Sequence, residues 1–156
     1  MTSSTSARSA TGLAIALALV CATQAVTAAE TTALIARSAN VRSGPHKAMP
    51  TVTWLLTGTR VTLIGCVASW RWCDIQSGRE RGWVYSRYLS VPFQGSAVAI
   101  IDGGPTLGLP VVEFQLGPYW DEHYQRRFWY ADKAAWQRRL DEQRPAPDWR
   151  PPAGRS

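Results

Sequence analysis

Between Leu34 and Ser90 the chain is cut into short β-rich runs by turn residues at intervals of about ten residues, and this punctuation restricts the fold more than any other feature. Thr51–Leu56 stops at Thr57-Gly58, Arg60–Cys66 at a loop, Trp72–Gln76 at Ser77-Gly78, and Gly82–Tyr85 at a tight turn to Leu89. Strands so short and so evenly spaced suggest a meander that closes into a small barrel. Within the second run, Val61, Leu63 and Gly65 share one face while Thr62 and Ile64 share the other, so both faces are expected to be partly covered.

Composition fits one such domain with appendages. The chain has 156 residues, 46% apolar and 18% charged, which excludes a wholly disordered polymer. Eight Trp, five Tyr and three Phe are many aromatics for this length. Seventeen basic groups against eleven acidic ones give a net charge of +6, which favours anionic or neutral partners. The excess is local. Residues 34–90 carry seven Arg and one Lys against Asp74 and Glu80, whereas the eight basic groups of residues 91–156 meet eight acids.

Four motifs occur in order over 57 of the 156 residues: Asn40-Val41-Arg42-Ser43-Gly44-Pro45, then Leu56-Thr57-Gly58-Thr59-Arg60-Val61, then Trp72-Cys73-Asp74-Ile75, then Gly82-Trp83-Val84 with Tyr88-Leu89. Together they resemble the opening, hairpin and closing motifs of bacterial SH3-like (SH3b) domains. The resemblance implies a mainly β fold, a small SH3-like barrel over residues 34–90. Residues 91–143 would follow as short strands and an aromatic, partly helical extension. It also implies a binding module for wall polymer, with Trp72 and Trp83 packed in the core. Two departures stand out. His46 replaces the glycine usual after Gly-Pro, and the Cys66–Cys73 segment carries an additional Trp70, expected at a long, exposed hairpin tip.

The amino terminus reads as an address. Arg8 precedes an apolar run, Leu13 to Ala22, that is too short for the roughly 20 residues a spanning helix needs. Small residues follow (Val26-Thr27-Ala28-Ala29), so residues 1–28 are expected to be a cleaved secretory signal, and the mature chain to have no transmembrane segment. Val20 stands where a lipoprotein signal wants a small residue before Cys21, so Cys21 is expected to leave with the signal. In an exported chain Cys66 and Cys73 then read as a structural disulfide. Two cysteines with no nearby His do not make a zinc site, and no metal or cofactor is expected.

After Ser90, Val98–Ile101 and Val111–Leu116 read as two short strands around Asp102-Gly103-Gly104-Pro105. Pro118 suits the first turn of a helix, and Trp129, Trp136 and Leu140 recur at a helical spacing that gives a narrow apolar stripe. The Tyr- and Trp-rich run resembles the C-terminal segment of uncharacterised exported SH3-containing proteobacterial proteins. Trp120, Phe128, Trp129 and Trp136 are too many large apolar groups to leave in water, so residues 112–140 are expected to pack on the barrel. Residues 144–156, with four Pro and like charge to the barrel, are expected to form a free, disordered tail.

No enzymatic constellation is legible. Neither His is paired by motif with a nucleophile, the mature thiols are expected to be oxidised, and Asp121-Glu122 and Asp141-Glu142 point in diverging directions if helical. No phosphate loop or dinucleotide fingerprint occurs. Candidate ligand contacts are His46 in the first long loop, Trp70 and Arg71 at the hairpin tip, Arg42 and Tyr88 in the matched motifs, and Tyr85 at the end of the run Gly82–Tyr85. An exposed Trp beside Arg suits stacking on a sugar ring or a peptide bond. Export argues against nucleic acid. The remaining readings are a non-catalytic envelope module that recognises a wall peptide or glycan polymer, most plausibly peptidoglycan stems, and a periplasmic scaffold factor that binds an envelope protein through its aromatic segment.

Overall fold

The computed structural model describes residues 30–143. The expected signal peptide and Pro-rich tail lie outside the described residues. Eight strands follow in chain order: β1 Thr31–Ile35, β2 Ala39–Arg42, β3 Thr51–Leu55, β4 Arg60–Cys66, β5 Trp72–Ser77, β6 Glu80–Tyr85, β7 Leu89–Phe93 and β8 Ser96–Ala99. They form one antiparallel sheet in the order β3-β2-β6-β5-β4-β1-β7-β8. Alternation sends Val61 and Leu63 of β4, Ile75 of β5, Val84 of β6 and Leu89 of β7 into a common interior with Ile35 and Val41. The motif-bearing runs thus become strands close to their sequence-derived bounds.

The chain beyond β8 departs from the sequence reading. Only Ser96–Ala99 is strand, and Ile100 opens a single helical turn, α1 Ile100–Gly103. Val111–Leu116 is not a strand either. Val111 makes one parallel bridge to Cys66, with Cys66 N donating to Pro110 O and Val112 N to Cys66 O, both at 2.9 Å. Gly65 makes this approach possible. A Cβ there would lie 2.6 Å from Val112 Cγ1 and 2.9 Å from Pro110 O.

Two helices and a 3-10 turn complete the extension: α2 Leu116–His123, the turn Phe128–Asp132, and α3 Lys133–Glu142. Pro118 does fall in the first turn of α2, where no intrahelical N–H is required. Leu116 and Trp120 stand one turn apart on its buried face. The expected stripe Trp129, Trp136, Leu140 is split, because Trp129 belongs to the 3-10 turn and only the other two ride on α3. No described helix is long and apolar enough to cross a membrane.

The extension packs on the barrel as expected, keyed by polar tips on aromatic bodies. Trp120, fully buried, donates from Nε1 to Ser43 O at 2.9 Å. Tyr124 donates to Arg81 O at 2.7 Å, over Gly82, where a Cβ would come 2.6 Å from Val41 Cγ1. Trp129 stacks edge-on against both, 4.7 Å from Trp120 and 5.1 Å from Tyr124 between ring centroids. Burying Trp120 alone is worth on the order of 3 kcal/mol. Phe128 is the exception to the expected packing. It is 93% exposed, because the turn that buries Trp129 aims its neighbour outward.

Candidate binding groove

Trp72 and Asp74 alternate outward on β5, directly across from Tyr85 and Trp83 of β6. The barrel therefore presents one aromatic outer strip with two fates. At one end, Trp83 is covered by Phe114 and Tyr119 at 5.5 and 5.9 Å, and it is buried. At the other end no residue of the extension lines the groove that holds Trp72 and Tyr85, which meet edge-to-face at 5.6 Å. Tyr85 meets Tyr88 the same way at 5.7 Å, so three rings form a continuous half-buried floor.

That floor lies in a groove of about 1030 Å³. One wall is the β4–β5 hairpin tip, through Val67, Ser69 and Arg71. The opposite wall is β2 and the loop after it, through Asn40, Arg42, Pro45, His46 and Lys47. Arg42 is held by Nη1 donating to Met49 O at 3.0 Å and to Thr51 Oγ1 at 3.2 Å. His46 Nδ1 accepts the Ala48 N–H at 3.1 Å, which leaves Nε2 as the ring's other polar atom. Arg42, Lys47 and Arg71 line the groove and no carboxylate does. Arg37 adds a cation over the Tyr88 ring at 5.8 Å.

The hairpin wall is tied at its base by the Cys66–Cys73 disulfide, S–S 2.02 Å, between directly paired residues of β4 and β5. Its tip is clamped by Ser86, whose N–H donates to Arg71 O at 2.9 Å and whose hydroxyl donates to Trp70 O. Trp70 is not the exposed indole expected. It adopts φ +58°, and its ring lies half-buried beside Gly104 and against the core. The left-handed turn that lets the tip reverse swings the ring inward.

Of the six candidate contacts, Arg42, His46, Arg71, Tyr85 and Tyr88 therefore share one groove and Trp70 stands behind its wall. Trp72, read as core, is a floor residue instead, because β-alternation puts it on the same outer side as Asp74. Asn40 and Lys47 were missed. Alternation with the buried Ala39 and Val41 is the signal that places Asn40 outward beside Arg42.

Electrostatics at the covered end differ. The Asp74 carboxylate, buried, accepts from Arg81 Nε at 2.8 Å, Arg81 Nη2 at 2.7 Å and Tyr119 OH at 2.7 Å. Burial first, then the neighbouring Asp74 charge, pushes the Tyr119 hydroxyl far above its usual range, so it remains a donor. Burial also pushes Tyr124 up. Burial opposes the Arg81 charge, but the Asp74 hydrogen bonds and field outweigh it and its pKa rises. His123, partly buried against Tyr119, is lowered, mainly by that burial. This end is a structural joint, separate from the cationic groove.

Among the described residues, no group of three or more His, Cys, Asp or Glu is placed to hold a metal ion. Residues 37–90 match the family model of the bacterial SH3 domain. No curated protein and no solved structure matches the chain. Motif order, the small antiparallel barrel and this match agree: the chain carries a bacterial SH3 domain, continued by a Tyr- and Trp-rich segment folded against it.

Proposed function

We propose that this chain is an exported, non-catalytic binding module of the cell envelope whose groove holds the peptide stems of peptidoglycan or a closely related anionic wall polymer. One observation carries the reading: an aromatic floor of Trp72, Tyr85 and Tyr88 ringed by Arg42, Lys47 and Arg71, with no lining carboxylate. Flat rings offer contact area to extended peptide, and the cations favour its carboxylates. Each exposed contact is worth under about 1 kcal/mol and is screened by salt. A disulfide at the groove wall accords with export to an oxidising compartment. No chemical step is assigned to the groove, and the two described thiols are joined in the disulfide.

A second reading is favoured by Phe128, which stands 93% exposed beside a cleft of about 520 Å³ formed by Pro50, Trp129 and Trp136. There the chain would grip an envelope protein instead. Retention on purified sacculi distinguishes the two. The wall reading expects retention at low salt, loss at high salt, weakening in Arg71→Ala, and no change in Phe128→Ser. Retention by envelope protein after removal of the sacculus, abolished by Phe128→Ser, would replace it with the scaffold reading.

A further inference from the structure

The groove does not end at β2. Asn40 lies on its wall, and its direct cross-strand partner is Trp54 on β3. Directly opposed residues of an antiparallel pair carry side chains on the same face, with Cβ atoms about 5 Å apart. The outward face that supplies Asn40 and Arg42 therefore continues onto β3 at Trp54. Trp54 is 55% exposed, an unusual share for an indole inside a strand, and β3 is the outermost strand at its end of the sheet order.

The indole has both apolar and polar company: Leu56, two residues on, is 60% exposed, and the cross-strand side is polar. Asn40 is exposed, and its amide has no partner among the described residues. Thr53 flanks the indole in sequence, and Thr51 stands further along the strand, its hydroxyl already holding Arg42. A flat aromatic surface beside an amide that both donates and accepts is the donor set a pyranose needs. The ring's C–H face packs on the indole while the amide bonds its hydroxyls. An apolar side chain would use the indole alone, whereas a sugar ring uses the indole and the amide together.

We infer that Trp54 and Asn40 form a saccharide subsite at the margin of the groove, which receives a sugar ring of the same polymer whose peptide carboxylates meet Arg42, Lys47 and Arg71. The inference rests on the wall-polymer reading of the groove. It places sugar stacking on Trp54 and not on Trp70, whose ring is turned inward beside Gly104.

Calorimetric titration with two soluble probes tests it: a stem tetrapeptide, and the same tetrapeptide carrying its disaccharide. The protein should bind the sugar-bearing probe more tightly. Trp54→Ala should weaken that probe by about tenfold, the equivalent of one lost stacking contact, and leave the bare tetrapeptide unchanged. Trp54→Phe should fall between, and Arg71→Ala should weaken both probes alike. Unaltered melting of the Trp54 variants will show that the fold is kept. Equal affinity of the unsubstituted protein for both probes, or a Trp54→Ala variant that keeps its preference or weakens both probes alike, would overturn the subsite. A parallel loss of both in Arg71→Ala would still uphold the peptide groove. Failure of the unsubstituted protein to bind either probe overturns both.

Discussion

Asp74 shows how little of a residue's task is visible in its local sequence. It sits in the third SH3 motif as one of two acids in a basic region, and nothing near it in sequence marks it as buried. In the fold it is 3% exposed, and it is tolerable there only because Arg81 reaches it from the paired strand and Tyr119 from 45 residues away. Removing the hydroxyl by Tyr119→Phe is expected to cost about 2 kcal/mol in urea denaturation, as for a hydrogen bond to a charged group. Asp74→Ala should cost more, on the order of 3 kcal/mol, since it strands a half-buried guanidinium and the Tyr119 hydroxyl together. Equal stability of both variants with the unsubstituted protein would mean that this joint does not hold the extension.

The element most fully legible in advance was the β4–β5 hairpin. Its two cysteines were the only ones left after the expected signal, and their register as direct partners follows from strand pairing. The shape of its tip was not legible. Whether Trp70 projects or folds back depends on a positive φ and on Gly104, which comes from a different part of the chain. Replacing both cysteines by alanine should lower stability by about 2.5 kcal/mol, the chain-entropy value for so short a loop. Amide exchange at residues 67–72 should rise at the same time, because the groove wall loses its tie. Unchanged exchange there would show that Ser86 alone sets the wall. The extension gives the opposite case. Val111–Leu116 has strand composition, yet it lies along Cys66 with a single bridge and then turns helical. Its partner strand had no open edge for longer pairing, since β4 is already flanked by β5 and β1.

At the scale of the molecule, the barrel and extension form one unit whose outer aromatic strip is divided between packing and exposure. Ending the chain before Pro110 would uncover Trp83 and remove at once the side-chain donors Trp120 Nε1 from Ser43 O, Tyr124 OH from Arg81 O and Tyr119 OH from the Asp74 carboxylate. Such a truncated protein should melt several degrees lower than the full chain and bind a hydrophobic dye. The full chain should unfold in a single transition. An unchanged melting temperature would separate the extension from the barrel's stability and favour its use as a partner surface.

The four β runs between Thr51 and Tyr85, the barrel they build and the cysteine pair were determined by sequence alone. Each depends on alternation, turn chemistry or spacing within a few residues. What the tertiary structure decided is which side of each strand is covered. Trp72 and Trp83 occupy matching outward positions on neighbouring strands, and local sequence treats them alike. Phe114 and Tyr119 bury one and leave the other as groove floor, while the left-handed Trp70 turns inward and Trp54, on the outermost strand, stays exposed. Burial of an outward aromatic is a property of whatever distant segment lands on it, and that contact is fixed only when the whole chain has packed.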